Sequence, residues 1–510
     1  MRKYKNPILC GFNPDPSICR VGEDFYLVTS SFEFFPGVPL YHSRNLSDWT
    51  QVGFCLDSEK KLNLQNCKAS GGIYAPVIRY HEGTFFMTTT NVSDKGNLIV
   101  YTTDPKDGWS DPQWVDQGGI DPSLFFDEDG KVYYTTTGNL EDGTSMIQMC
   151  EIDPFTGTKL SSSRVINFGC NDKYPEGPHI YKKDGSYYLL LAEGGTEYGH
   201  MVTIQRANTP WGPYEPCPHN PILTHRDDSR GEICCTGHGD LIEDQNGNWW
   251  MVCLGVRPIQ GEYGNLMLHH LGRESFLAPV LWTEDGWPIV GENGKISLCM
   301  EGELPGEGAA GLNQKMIFRD DFSTENFDLA YNFLRNPDLS RYIRDTEQKC
   351  LILRGTDITL NDVDSPVWLG IRQQEMESEI SACVTLAKWS KGARVGLTAF
   401  YNDSYHYEIY LTEENGKNQV CLAKHVHDIF AVTEKVEIPT AANVTLRIEA
   451  DSRNYRFYYG LQGKADILLG TGMTAGLCTE GTHTMTFTGT YLGMFAERAE
   501  GIFREFLYCG

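Results

Sequence analysis

A chain of 510 residues is long enough for two or three domains and a large core. Its 43 basic and 68 acidic residues leave a formal charge of −25, which repels nucleic acid and anionic membrane and suits neutral ligands such as sugars. Aromatic content of 12% with 52 glycines suits an all-β protein with many turns.

The first residues, Met1-Arg2-Lys3-Tyr4-Lys5-Asn6-Pro7, are basic, but no apolar core of signal-peptide length follows. No apolar stretch is long enough to cross a bilayer. The sixteen cysteines are scattered, without the dense spacing of a small secreted framework or the paired CxxC units of a zinc site. They read as reduced, buried residues of a cytoplasmic protein.

From Gly11 onward one pattern recurs. Asp15-Pro16-Ser17-Ile18 leads through a turn at Gly22 to Phe25-Tyr26. Ala75-Pro76-Val77-Ile78, Gly83 and Phe85-Phe86 repeat it, as do Asp121-Pro122-Ser123-Leu124, Gly130 and Tyr133-Tyr134. Gly177-Pro178-His179-Ile180 with Tyr187-Tyr188, and Gly239-Asp240-Leu241-Ile242 with Trp249-Trp250, complete five copies. A unit of this length, built from short β-type runs around a tight turn, predicts one propeller blade. Five copies predict a five-bladed β-propeller over residues 1–300. Further runs leading to Trp49, Trp109 and Trp211 read as outer strands whose indoles pack blade against blade. Residues 301–316, rich in glycine and glutamate, read as a linker. From residue 317 to 510 short alternating runs such as Cys350-Leu351-Ile352-Leu353-Arg354 and His406-Tyr407-Glu408-Ile409-Tyr410 predict a two-sheet, concanavalin-like (jelly-roll) β-sandwich.

In a radial array the first strands start near the axis. The residues before each copy are Asp15, Ala75, Asp121, Glu176 and His238, in nearly one register. An aspartate before proline is commonly only a turn residue, but three carboxylates in register suit glycoside cleavage. That reaction needs one carboxyl to protonate the leaving oxygen and another to activate water or attack carbon. A third carboxylate can raise the acid's pKa by repulsion.

Asn13-Pro14-Asp15-Pro16-Ser17-Ile18, Ser70-Gly71-Gly72-Ile73-Tyr74-Ala75-Pro76, Ile120-Asp121-Pro122-Ser123 and Tyr174-Pro175-Glu176-Gly177-Pro178-His179 resemble the motifs of glycoside hydrolase family 43. The resemblance is to its β-xylosidase and α-L-arabinofuranosidase members with a C-terminal sandwich. It implies an inverting exo-glycosidase that acts on small xylo- or arabino-oligosaccharides, with Asp15 as general base, Asp121 as pKa modulator and Glu176 as general acid. It also implies substrate contacts from Phe32, Tyr74 (where relatives often carry tryptophan), Arg257 and Phe487, the last in the loop Thr486-Phe487-Thr488-Gly489. No cofactor is implied, although His238 matches a channel histidine that binds calcium in some members. Oligomeric state is left open, a homo-oligomer included. Two other readings stand beside this one: a retaining, fructan-type five-bladed glycosidase, and a non-catalytic propeller that binds sugar.

Overall fold

The computed structural model describes residues 1–170, 173–228, 231–307, 316–439, 443–461, 464–482 and 484–510. Among them there is no α-helix, only β-strands and three short 3-10 turns. The first 302 residues form the expected five-bladed propeller. The innermost strand and its partner are Ser17–Val21 with Asp24–Val28, Val77–His81 with Thr84–Asn91, Ile120–Phe126 with Val132–Asn139, Glu176–Lys183 with Ser186–Glu193, and Cys234–Glu243 with Trp249–Val256. Each pair is antiparallel. Each turns at a glycine with φ between +62° and +84° (Gly22, Gly83, Gly130, Gly185 and Gly247), a conformation that L side chains resist.

The second strands carry the repeat's aromatic pairs and are buried almost throughout. The third strands hold the runs that lead to the tryptophans, and Trp109 and Trp211 sit in connections to the fourth strands. Trp211 meets Tyr133 of the preceding blade edge-on, with ring centroids 5.6 Å apart. The ring closes where Arg2–Lys5 pairs antiparallel with Cys299–Gly302. Residues 301 and 302 of the expected linker therefore belong to the closing strand, and residues 308–315 of it lie outside the described residues.

Below the mouth of the channel, Asp240 knits four blades together. It accepts from Ser17 Oγ at 2.7 Å, Arg79 Nη1 at 2.8 Å and Tyr181 Oη at 2.5 Å. Burial pushes its carboxyl up, but Arg79, His179 and Tyr181 overcome this and hold it far below the ordinary value.

The remaining residues form a sandwich. Two long strands, Ser378–Asn402 and Tyr491–Cys509, run through both of its sheets and bend at register shifts around Leu386–Arg394. Residues 378–384 alternate buried and half-buried, the period of a strand with one face in the core. The two domains share structure. Phe34–Phe35, from a loop of the first blade, pairs antiparallel with Asn332–Leu334 of the sandwich. Phe12, Phe32 and Phe34 pack with Trp368, Phe400 and Tyr491 in one aromatic seam. The buried Arg335 side chain crosses it, donating to the Cys67 carbonyl at 2.6 Å. All sixteen cysteines are free, most of them buried.

Candidate active site

Three of the inner strands carry a bulge at the same place. The register slips between Ile120 and Ser123, between Glu176 and His179, and between Gly237 and Asp240. At that level φ is +54° at Asp15, +54° at Asp121, +55° at Gly177 and +47° at His238. Bulges of this kind re-aim side chains. Strict alignment puts Gly177, rather than Glu176, level with the two aspartates. Glu176 comes one residue earlier, and a Cβ on Gly177 would lie 2.9 Å from the His238 ring.

Asp15, Asp121 and Glu176 line one cavity of about 230 Å³ at the axis, with Phe32, Tyr74, His200, His238 and Arg273. The sandwich supplies the roof through Met485 and Phe487. Phe32, Tyr74 and Phe487 form a three-ring wall. Phe487 stacks on Phe32 with centroids 5.7 Å apart, and Tyr74 lies 5.3 Å from Phe32 and 5.9 Å from Phe487. The expected aromatic contacts and the Phe487 loop are therefore brought together with the three carboxylates.

The carboxylates differ in surroundings. Asp15 accepts from Arg273 Nη1 at 2.9 Å and from Ser30 Oγ at 2.6 Å, and His238 Nδ1 stands 4.0 Å away. Burial pushes Asp15 up, yet Arg273, His238 and the Ser30 hydroxyl prevail and hold it below the ordinary carboxylate value. Glu176 has no such donor among the described residues. Burial and the charge of Asp15 push it up to about 7, against a smaller downward pull from Arg273. Asp121 is also pushed up, by burial and by the charges of Glu176 and Asp15, while His238 opposes them. It accepts the Gly177 N–H at 3.2 Å, which fixes the peptide next to Glu176. Asp15 is thus ionised at neutral pH, opposite two carboxyls that burial and neighbouring charge raise into the neutral range.

One expectation is corrected. Arg257 does not reach the cavity. It is bidentate to Glu274, with both contacts at 2.8 Å, and pairs with Glu375 of the sandwich at 2.6 Å. The arginine at the base is Arg273. Neighbouring residues in an extended strand point opposite ways, so Arg273 faces Asp15 while Glu274 faces Arg257. A calcium ion at His238 gains no support from the side chains around it. Calcium takes six to eight oxygen ligands, and no group of three or more His, Cys, Asp or Glu among the described residues could hold a metal. His238 instead packs its ring against Gly177 and 6.5 Å from the ring of His179.

Arg273, His200 and Thr196 were not singled out in the sequence. Thr196 accepts from Arg273 Nη1 at 3.1 Å; the glycine pair Gly194-Gly195 before it was the readable sign of a tight loop. His200 pairs through Nδ1 with the Cys235 carbonyl at 3.0 Å, and burial pushes it down to about 3. The ring is neutral with its proton on Nδ1, which leaves Nε2 as an acceptor.

The chain resembles known proteins over its whole length. Residues 4–288 match the family model for glycosyl hydrolases family 43, and residues 319–502 match the β-xylosidase C-terminal concanavalin A-like domain. A non-reducing end α-L-arabinofuranosidase of Bacteroides ovatus is 40% identical over 500 residues, covering 97% of this chain and 91% of the relative. A xylosidase/arabinosidase of Butyrivibrio fibrisolvens is 40% identical over 430 residues, 81% of each chain. A solved Bacteroides ovatus structure described as xyloglucan PUL GH43B superposes with a TM-score of 0.93 at 38% identity, covering 100% of both chains. These matches select the first of the three readings over the fructan-type and non-catalytic ones. The protein is a glycoside hydrolase, and the chain belongs to glycosyl hydrolases family 43.

Proposed function

We propose that this protein is an inverting, exo-acting glycosidase that removes single terminal pentosyl groups, β-D-xylosyl, α-L-arabinofuranosyl or both, from short oligosaccharides. The observation that carries this reading is the opposite displacement of Asp15 and Glu176 across one small roofed cavity. Titratable groups whose environments push their pKa values apart mark a base and an acid. Asp15, ionised, takes a proton from water as the water oxygen bonds to the anomeric carbon. The bond from that carbon to the leaving oxygen breaks, and Glu176 gives its proton to that oxygen. Burial and the charge of Asp15 keep Glu176 protonated, and Asp121 orients it through the Gly177 N–H. The aromatic wall suits the apolar face of a sugar ring, and the roof favours a chain end over a mid-chain residue. The names of the relatives support the two pentosyl groups.

Proton NMR of the first sugar released from p-nitrophenyl β-D-xyloside should show α-xylose, and the matching α-L-arabinofuranoside ranks the two substrates. β-Xylose as first product, or xylobiose as the main product from longer xylo-oligosaccharides, overturns the proposal.

A further inference from the structure

The roof of the cavity is held by a residue for which the chemistry has no use. Ser70, between the first and second blades, is 6% exposed and has φ of +59°. Its N–H donates to Glu33 Oε2 at 3.0 Å. Its Oγ accepts the N–H of Phe487 at 2.9 Å. The carbonyl of Phe487 accepts from Arg273 Nη2 at 3.3 Å and Nε at 3.4 Å. Both polar groups of the Phe487 backbone are thus anchored to the propeller, one by a group that also holds the base and one by Ser70 alone. Glu33, in turn, is buried beside Phe32 and accepts at its carbonyl from the Arg335 N–H at 2.8 Å. The path therefore runs from the sandwich through Glu33 and Ser70 back to the sandwich loop. It sets the ring of Phe487 on that of Phe32, the stacked pair at 5.7 Å.

We infer that Ser70 is a positioning residue whose hydroxyl latches the sandwich loop over the sugar site, so that substrate binding depends on it and bond cleavage does not. Ser70 does not line the cavity, and it reaches it through the Phe487 N–H and through Glu33, the neighbour of Phe32. The inference rests on the proposed function for its kinetic readout, but not for its structural one.

The left-handed backbone at Ser70 makes Ser70→Gly the clean test, because glycine suits that conformation while losing the hydroxyl. Ser70→Ala loses the same hydroxyl without easing the backbone. Both variants should raise KM for p-nitrophenyl β-D-xyloside about tenfold, the effect of one lost hydrogen bond, with kcat within about twofold. In a Phe487→Ala background neither should add a further effect, since coupled residues are not additive. Amide exchange at Phe487, read by mass spectrometry or NMR, should speed up by at least the same factor. Unchanged KM and unchanged exchange in Ser70→Gly overturn the latch, as does full additivity with Phe487→Ala. If the unmodified protein cleaves neither pentoside, the proposed reaction fails on its own, and the exchange rate still decides the role of Ser70.

Discussion

Arg273→Met tests the electrostatic division of labour. Methionine keeps much of the side-chain bulk between Phe32 and Phe487, over which the guanidinium now lies at 5.5 and 5.4 Å, but removes the charge. Asp15 then stays buried with the Ser30 hydroxyl as its donor. Two unit charges about 4 Å apart at an effective dielectric of about 20 interact by about 4 kcal/mol, which corresponds to about three pH units. Arg273 is the strongest group opposing burial at Asp15, so its loss lets burial win and moves Asp15 above the ordinary value. The acidic limb of kcat/KM reports the base and should climb by two to three units, an order-of-magnitude figure from the same Coulomb estimate. The basic limb starts at about 7 with Glu176 and should also rise, by less, because Arg273 is the weaker influence there. Folding stability follows the same signs. With Arg273 present, ionised Asp15 stabilises the fold above its unfolded pKa, and this is lost as pH falls through the lower folded value. In the variant the folded pKa lies above the unfolded one, so stability falls as pH rises between them. An acidic limb that stays in place, or moves down, while kcat alone drops would refute this account.

Glu176→Ala removes the proton donor. It should abolish turnover of xylobiose, whose leaving group needs protonation, and retain more activity on a nitrophenyl pentoside, whose leaving group departs as a stable anion; equal loss on both, measured side by side, contradicts the assignment. Deleting residues 317–510 strips the partner strand from Phe34–Phe35 and exposes Phe12 and Phe34 of the aromatic seam. The truncated chain should be insoluble or inactive, and a soluble propeller with unchanged turnover on an aryl xyloside would show that the roof is dispensable.

The blades were legible because the repeat is written in residues that every blade needs. Tyr26, Phe86, Tyr134, Tyr188 and Trp250 all fall on the second strand of their blades, where aromatic side chains fill the space between sheets. The carboxylates were legible because each falls at, or one residue before, the left-handed position that heads its inner strand. The arginine was not. Arg257 and Arg273 flank the same excursion of the fifth blade, and which one turns to the axis depends on strand phase, which shifts by one side with each residue. Arg257 also answers to Glu375, a partner 118 residues away in the other domain, and no local pattern announces such a pairing. His200 escaped notice for a related reason. It reaches the cavity through the partner of its Nδ1, a backbone carbonyl on the neighbouring blade, and a carbonyl leaves no trace in the choice of residue. The Phe487 contact was read from family resemblance, since nothing within the sandwich's own alternation marks one phenylalanine as facing outward.

The left-handed position at the head of the blades sets terms for what the repeat can offer chemically. Aspartate is among the few residues with a side chain that occupy this conformation routinely, and glycine occupies it without cost. A longer acid placed there would bear strain of about 1–3 kcal/mol. The fourth blade, which contributes a glutamate, gives the left-handed place to Gly177 and presents Glu176 from the preceding residue. The backbone thereby rations acid length by position: short carboxylates from the left-handed place itself, a long one from the residue just before it. A change of catalytic acid in this scaffold is then a two-residue event, because exchanging Asp121 for glutamate, or Glu176 for aspartate, puts the carboxyl at the wrong reach unless its neighbour changes with it.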